Sequence, residues 1–237
     1  METIAQDLQQ VKRRIEVAVA AAGRGQGGVQ LLAVSKTQPA ERVREACAAG
    51  QTAFGENYVQ EALDKIAALA DLRLQMQWHL IGPLQSNKTR PVAESFDWVH
   101  SVDRLKIAQR LAEQRPAGLP PLQLCLQVNV SGEASKSGVA PAELLDLARA
   151  VAALPRDRVR LRGLMSIPEP VDDPAAQRAP HRLLHGMLLQ LNAAGLELDT
   201  LSMGMSADLE AAVAEGSSMV RVGTALFGQR GSTASAG

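Results

Sequence analysis

The sequence predicts a single parallel (β/α)8 barrel preceded by one extra helix. Short apolar segments alternate with amphipathic segments eight times, and no change in composition divides the 237 residues into two parts. An open doubly wound sheet would carry a glycine-rich nucleotide loop after its first strand, and this chain lacks one there. We therefore expect residues 1–230 to form one barrel domain and residues 231–237, GSTASAG, to form a disordered tail.

The first helix is predicted from apolar side chains that recur every three or four residues, namely Ile4, Leu8, Val11, Ile15 and Val19. The glycine cluster at residues 23–28 ends it and leads into strand one, VQLLAVSK, at residues 29–36. Pro39 suits the first turn of the next helix, which should reach about Gly50. Strand two is TAFGEN, followed by a helix from about Tyr58 to Leu69.

The remaining strands are predicted from further apolar runs. Strand three, MQWHLIG, should end at Gly82 before a helix-prone SNKTR segment, and strand four is WVHSV. Asp103 is a good N-cap for the following helix. Strands five to eight are LQLCLQVNV, VRLRGLMSI, TLSMGMS and SMVRVGTALFG, and the helix after strand six should bury Leu184, Met187, Leu188 and Leu191.

The charge balance excludes some classes of partner. Lys plus Arg and Asp plus Glu each number 25, so we expect neither nucleic acid nor a membrane as partner. Cys47 and Cys125 have no ligand pattern around them and are expected to be free, buried thiols. The N-terminus lacks the apolar core of a signal peptide, and no stretch approaches the roughly 20 apolar residues of a membrane span. A cytoplasmic location is the expectation.

Lys36 is the candidate nucleophile, because it stands where strand one should emerge from the barrel. The carboxyl ends of parallel strands are where such folds bind ligands. An amine that is partly surrounded by the apolar barrel interior can act as a nucleophile toward an aldehyde. The alternative is a solvated lysine at the end of a strand.

A candidate phosphate site follows strands seven and eight. We expect strand seven to end at Ser206, whose hydroxyl and the next N–H groups could bind an anion. Gly223 and Thr224 follow Arg221 on strand eight, and a glycine there would let N–H groups approach a phosphate. Asp208 argues against an anion, and simple helix capping is the alternative for Ser206.

A lysine facing a phosphate site across the barrel mouth suits a phosphorylated aldehyde, and pyridoxal 5′-phosphate (PLP) is the leading candidate. Arg221 and Gly223 share a strand face, which would bring Arg221 near the cofactor ring. An arginine against the pyridine nitrogen would keep that nitrogen unprotonated, since guanidinium retains its proton. The alternative for Arg221 is a salt bridge inside the barrel.

Other polar residues have weaker claims. Asn57 and His79 could line the mouth, although His79 could equally be a core histidine bonded to a backbone carbonyl. Lys136, in the loop after strand five, is a second candidate amine, with a solvated loop lysine as the alternative. His181 and His185 are four residues apart, yet they lack the glutamate of a metalloprotease helix, so we expect no metal site.

Eight stretches resemble the pyridoxal phosphate homeostasis protein family: AVSKTQP, FGENYVQE, WHLIGPLQSNK, VHSVD, VNVSGEASKSGV, GLMSIP, LSMGMSADLEAA and VRVGTALFG. The resemblance implies a fold-type III barrel like the N-terminal domain of alanine racemase. It also implies PLP bound by Lys36 as a Schiff base, phosphate contacts from Ser206, Gly223 and Thr224, and Arg221 near the pyridine ring. We include Met165, in GLMSIP, among the cofactor-binding candidates. Some relatives end in a lysine-bearing tail, unlike GSTASAG.

The resemblance implies a monomeric carrier that supplies PLP homeostasis or delivery, with PLP-dependent apo-enzymes as candidate recipients and no strong catalytic activity. Two alternatives stay open at this point. A PLP-dependent amino-acid racemase or lyase would need a second base, and the chain has one tyrosine, Tyr58, and no room for the second domain of alanine racemase. A cofactor-free aldolase would use Lys36 directly on a sugar phosphate.

Overall fold

Eight parallel strands close into a barrel in the computed structural model, which describes residues 3–25, 27–132 and 137–228. The strands are β1 Gln30–Val34, β2 Ala53–Glu56, β3 Gln77–Leu80, β4 Trp98–Val102, β5 Leu122–Gln127, β6 Val159–Met165, β7 Thr200–Ser202 and β8 Met219–Val222. Each pairs with the next, and β8 pairs with β1, with Leu32 opposite Arg221. The predicted (β/α)8 fold is confirmed.

Helices cover the outside of the barrel. They are α1 Ile4–Ala21, α2 Ala40–Ala48, α3 Val59–Ala68, α4 Thr89–Ser95, α5 Leu105–Gln114, α6 Leu144–Ala152, α7 Pro174–Ala193, α8 Leu209–Ala214 and α9 Thr224–Phe227. Short 3₁₀ turns occupy Ala70–Gln75, Ser86–Lys88 and Pro141–Glu143. The predicted inner face of α7 is buried, at Leu184, Met187, Leu188 and Leu191.

Side chains of each strand point alternately toward the helices and into the barrel, so the buried residues form one layer outside the strands and another inside the barrel. The main apolar cluster joins the strands to the helices. Two small separate clusters fill the barrel, one of Leu32, Ala53, Ile81 and Met219, and the other of Trp98, Cys125 and Met165. Apart from Trp98, the side chains of these two clusters are small or medium-sized. They leave space inside the barrel for the polar groups of β3, β4, β7 and β8 described below.

The extra helix α1 braces the barrel where it closes. Its predicted apolar face is buried, and Thr3 and Gln6 form a capping box at its start. The helix packs against α2, α8 and α9, which flank the junction of β8 with β1. This junction carries the candidate site.

Six predicted strand ends are wrong by two residues or more. Two of them are β5, which ends at Gln127 instead of Val130, and β6, which ends at Met165 instead of Ile167. β1 ends at Val34 and β3 at Leu80, each two residues earlier than predicted. β7 ends at Ser202 instead of Ser206, because a glycine at φ 94° and a turn intervene before α8. β8 ends at Val222, and the apolar TALF that extended it is the short helix α9. Apolar runs alone do not distinguish a strand end from a short buried helix.

Asp103 is not the N-cap of α5. Arg104 occupies that position, and the Asp103 carboxylate accepts a hydrogen bond from the Arg104 guanidinium at 2.7 Å. Cys47 and Cys125 are free thiols as expected, although Cys47 is only half-buried. Burial raises the pKa of Cys125 to about 12. Within the described ranges, no helix has the length and apolar character to cross a membrane.

Candidate functional site

Lys36 lies two residues beyond the end of β1, at the carboxyl end of the barrel. It lines a cavity of about 360 Å³ that it shares with Val34, Thr37, Gln38, Gly223, Thr224 and Gly228. Since β1 and β8 are neighbours across the closure, the lysine stands beside Gly223 and Thr224. The expectation that it faces them across the mouth is wrong, because in a closed eight-stranded sheet the first and last strands are adjacent.

The backbone around Lys36 has an unusual conformation, with Thr37 at φ 64°. The Thr37 N–H donates to Glu61 Oε1 at 2.5 Å. Lys65 Nζ donates to the Ser35 carbonyl, to Glu56 Oε1 and to Glu61 Oε1 at 2.6, 2.8 and 2.6 Å. The residues on either side of Lys36 are therefore held by one cluster of charged groups, which the sequence analysis did not select.

Gly223 and Thr224 form the turn from β8 into α9. The first N–H groups of a helix have no intrahelical acceptor and face outward from its start. Gly223 also packs closely on β1, since a Cβ added there would lie 3.1 Å from the Val34 carbonyl oxygen. The close approach of the two strands therefore disfavours a larger residue at this position.

Gly223→Ala is expected to lower the free energy of unfolding by about 1–3 kcal/mol, because the methyl group overpacks the β1–β8 junction. Gly186→Ala is the matched control, since a Cβ at Gly186 meets nothing within 4 Å and this position lies inside α7. That control should be neutral or stabilising by about 0.5–1 kcal/mol. Urea unfolding compares the two, and equal stability would contradict the proposed close packing.

Ser206 lies in the turn between β7 and α8 and is half-buried, four residues beyond the strand end. The carbonyl of Ser206 accepts a hydrogen bond from Arg14 of α1 at 2.9 Å, and Arg14 also pairs with Glu210. The extra helix therefore fixes the turn that carries this candidate phosphate ligand. Ser206 does not line the cavity shared by Lys36 and Gly223.

Asp208 is engaged by protein groups, which weakens its objection to an anion nearby. Its carboxylate accepts from the Met205 N–H at 2.6 Å and lies 2.9 Å from His181 Nε2. Burial alone would raise the pKa of Asp208, but the hydrogen bonds from His181 and Met205 outweigh it and lower that pKa. The Asp208 carboxylate therefore caps the turn at Met205 and, through His181, links α7 to the start of α8.

Arg221 is fully enclosed by the barrel. It donates from Nη1 to the Ser202 carbonyl and hydroxyl at 2.6 and 2.9 Å, and from Nη2 to the Ser166 carbonyl at 2.8 Å. Burial lowers the pKa of Arg221 to about 10, and the charge of Asp208 opposes this. Within residues 3–25, 27–132 and 137–228 the guanidinium makes no salt bridge, so that alternative is wrong there. The Arg221 guanidinium has five N–H donors and makes three hydrogen bonds with described residues.

His79 belongs to a buried polar chain that crosses the barrel. Its Nδ1 lies 3.0 Å from His100 Nε2, and His100 Nδ1 lies 2.8 Å from Ser202 Oγ, which Arg221 also contacts. His79 stacks on Trp98 with ring centroids 5.3 Å apart. His79 is a buried core histidine, as one of the two alternatives held, but its partner is a second histidine and not a backbone carbonyl.

Burial lowers the pKa of His79 to about 3. Burial also lowers the pKa of His100 well below its usual range, and the neighbouring His79 and Arg221 add to the effect. Both imidazoles are therefore neutral at physiological pH. The period-two face of β4 could have revealed His100, since it lies two residues beyond Trp98.

The buried polar atoms that have no hydrogen-bond partner among the described residues include Asn57 Oδ1, His79 Nε2 and Ser166 Oγ. Asn57 follows β2, and its backbone lies against Gly82. Met165 is fully buried at the end of β6, opposite Ser202 in the sheet. Ser166 follows Met165 and offers its carbonyl to Arg221. Buried polar atoms without partners are uncommon and require an explanation.

The remaining sequence candidates lie away from this cavity. His181 is buried against Asp208, and His185 lies beside Gly216. Tyr58 is exposed at the start of α3. Lys136 and the tail at residues 231–237 lie outside the described residues.

Comparison with known proteins identifies the family. The sequence pattern of the alanine racemase N-terminal domain matches residues 6–231. The pyridoxal phosphate homeostasis protein of Pseudomonas aeruginosa is 66% identical over 230 residues, 97% of either chain. That of Escherichia coli is 53% identical over 231 residues, 97% of this chain and 98% of the other. The chain belongs to the pyridoxal phosphate homeostasis protein family. The resemblance inferred from the motifs is confirmed.

Solved structures agree with this family assignment. PipY of Synechococcus elongatus, in a structure with PLP bound, is 43% identical with a TM-score of 0.78, covering 90% of this chain and 100% of its own. Alanine racemase of Corynebacterium glutamicum has a TM-score of 0.69 at 19% identity, covering 92% of this chain and 61% of its own. The second comparison shows a shared barrel fold alone.

Proposed function

We propose that this protein binds pyridoxal 5′-phosphate reversibly, with Lys36 holding it as a Schiff base, and serves PLP homeostasis or delivery without strong catalytic activity. The observation that carries the proposal is the single cavity in which Lys36 lies with Gly223 and Thr224. Two relatives that are 66% and 53% identical are named pyridoxal phosphate homeostasis proteins, and the PipY structure has PLP bound.

Lys36 supplies the nucleophile in this proposal. PLP brings an electrophilic aldehyde and a phosphate group. Lys36 would hold PLP through a bond from its side-chain nitrogen to the aldehyde carbon, with the aldehyde oxygen released as water. The outward N–H groups at the start of α9 bind the phosphate, with the Ser206 hydroxyl as a further donor. The short distance between β1 and β8 suits a small ligand that carries both reactive groups.

The buried polar atoms also fit a ring with polar substituents. Arg221 has guanidinium donors beyond the three that described residues engage, and Asn57 Oδ1 and Ser166 Oγ have no partner there. With a pKa of about 10, Arg221 stays charged at neutral pH. A charged donor against the pyridine nitrogen would leave that nitrogen unprotonated and the ring a weak electron sink. This arrangement favours binding over catalysis.

We further propose a cytoplasmic monomer whose recipients are PLP-dependent apo-enzymes. Lys36 is half-buried beside an open cavity, so the bound cofactor can reach solvent. A reversible Schiff base suits transfer because a competing amine can displace Lys36.

Purified protein mixed with PLP should turn yellow, and borohydride should then fix one cofactor per chain on the peptide that contains Lys36. Mass spectrometry of the digested protein identifies the modified lysine. A protein that stays colourless and acquires no mass would contradict the proposed function. Turnover of single amino acids by the loaded protein would instead favour the racemase or lyase alternative.

A further inference from the structure

Lys65 is a buried lysine with an unusual set of partners. It lies on α3 and is 5% exposed, and its ammonium donates to Glu56, Glu61 and the backbone carbonyl of Ser35. These three bonds use all three ammonium protons. Glu56 is itself fully buried, and Ser35 Oγ donates to the same Glu56 oxygen at 2.6 Å.

The cluster holds the chain on both sides of Lys36. On one side, the Ser35 hydroxyl donates to Glu56 and the Ser35 carbonyl accepts from Lys65, in addition to the backbone bond from its N–H to Gly55. On the other side, the Thr37 N–H is fixed to Glu61, with Thr37 in the left-handed region. The Lys36 side chain has no hydrogen bond or ion pair with the described residues.

Stability alone does not account for such a cluster. Taking an ammonium and a carboxylate out of water costs several kcal/mol, and apolar side chains of similar volume are often as stable or more so. What a buried charged cluster can supply instead is one defined backbone conformation. Here two of its hydrogen bonds end on Ser35 and one on Thr37, the two neighbours of the candidate nucleophile.

We propose that Lys65, together with Glu56 and Glu61, is a positioning residue that holds Lys36 in the cavity it shares with Gly223 and Thr224. The proposal rests on the proposed function for its effect on PLP, but the fixed backbone is a property of the cofactor-free protein. Loss of the cluster should therefore impair the covalent step at Lys36 and spare binding that depends on the phosphate alone.

The main test replaces both buried charges together, Glu56→Gln with Lys65→Met, so that no charge is left buried without a partner. The control is Arg44→Met with Asp71→Asn, which removes an ion pair between α2 and the 3₁₀ turn Ala70–Gln75 that does not touch residues 35–37. A second variant, Glu61→Ala, keeps the buried pair and removes the Thr37 acceptor. Glu61→Gln is its conservative partner, because the amide oxygen can still accept from Thr37.

The first measurement is hydrogen exchange of the Thr37 amide in the cofactor-free proteins. Exchange should be at least about tenfold faster than in wild type in Glu61→Ala, which removes the acceptor, and in the double variant, where Glu61 remains but loses the Lys65 ammonium that holds it in place. Glu61→Gln and the Arg44/Asp71 control should exchange like wild type. Unchanged exchange in both Glu61→Ala and the double variant would overturn the proposal.

The second measurement compares PLP with pyridoxamine 5′-phosphate, which has an amine in place of the aldehyde and cannot bond to Lys36. Affinity for PLP should fall about tenfold in the double variant, or about 1.4 kcal/mol, because part of the covalent binding energy is lost when Lys36 is no longer held in place. Affinity for pyridoxamine 5′-phosphate should stay unchanged. Unchanged affinity for PLP, or equal losses for both ligands, would overturn the positioning role.

Failure of the proposed function has a different signature. If the wild-type protein binds neither ligand, the PLP proposal fails, and hydrogen exchange at Thr37 alone decides whether the cluster fixes the chain around Lys36. If wild type binds PLP and both variants match it in exchange and affinity, only the positioning role fails.

Discussion

Lys36→Ala is expected to abolish the borohydride-fixed attachment of PLP while a weaker complex persists. The variant loses the one amine among the described residues that line the cavity, whereas Gly223 and Thr224 keep the N–H groups proposed for the phosphate. We expect the affinity for PLP to fall by roughly two orders of magnitude, or about 2.7 kcal/mol. Absorbance titration and mass spectrometry after reduction measure the two effects separately.

Lys12→Ala is the matched control for this variant. Lys12 is also half-buried and lines a larger cavity of about 550 Å³, but that cavity lies at the starting ends of β1 and β2, beside Gln30 and Gln51. This control should bind PLP like wild type. If Lys36→Ala still acquires one reducible cofactor per chain, another amine is the true ligand, and Lys136 becomes the first residue to examine.

The fold was predictable because its main signal is periodic. Eight apolar runs alternating with helical segments determine the barrel, and the inner faces of α1 and α7 followed from their spacing. The ends of β7 and β8 were not predictable in this way. In TLSMGMS and VRVGTALFG the apolar residues continue past the strand, and only the turn at Gly204 and the first turn of α9 separate the elements.

Part of the site was also predictable, because the positions of residues along the strands can be inferred from the sequence. Position at a strand end and the chemistry of an amine selected Lys36, and the strand face selected Arg221 with Gly223. The partners of these residues come from distant parts of the chain: Ser202 and Ser166 for Arg221, and Lys65 for the segment beside Lys36. From the sequence alone, a lysine among polar residues of a helix is expected to face solvent. Only the tertiary packing shows that Lys65 is buried.

Acidification is expected to destabilise the fold through the pair His79 and His100. In the unfolded chain each imidazole binds a proton below about pH 6.5. In the folded protein burial lowers the pKa of His79 to about 3 and that of His100 well below its usual range. At pH values between the folded and the unfolded pKa of these histidines, the unfolded state binds more protons than the folded state. The free energy of unfolding therefore falls as the pH falls.

The loss should reach about 3 kcal/mol for His79 alone on going from pH 7 to pH 4. Urea unfolding at both pH values measures it, and the variant His79→Leu with His100→Leu should show a correspondingly smaller loss. Replacing both members avoids leaving one imidazole without its partner. His185→Gln, which changes a half-buried histidine outside the barrel interior, should keep the wild-type acid sensitivity.

The same pair explains why protonation is resisted inside the barrel. A proton on His100 would place a second positive charge beside Arg221, since both contact Ser202 Oγ. The buried network therefore has one charged group, Arg221, and two neutral imidazoles, of which His100 contacts Ser202 and His79 contacts His100. If the double leucine variant retained the full acid sensitivity, the histidines would have to be charged in the folded state, and Arg221 could not be the single cation of this network.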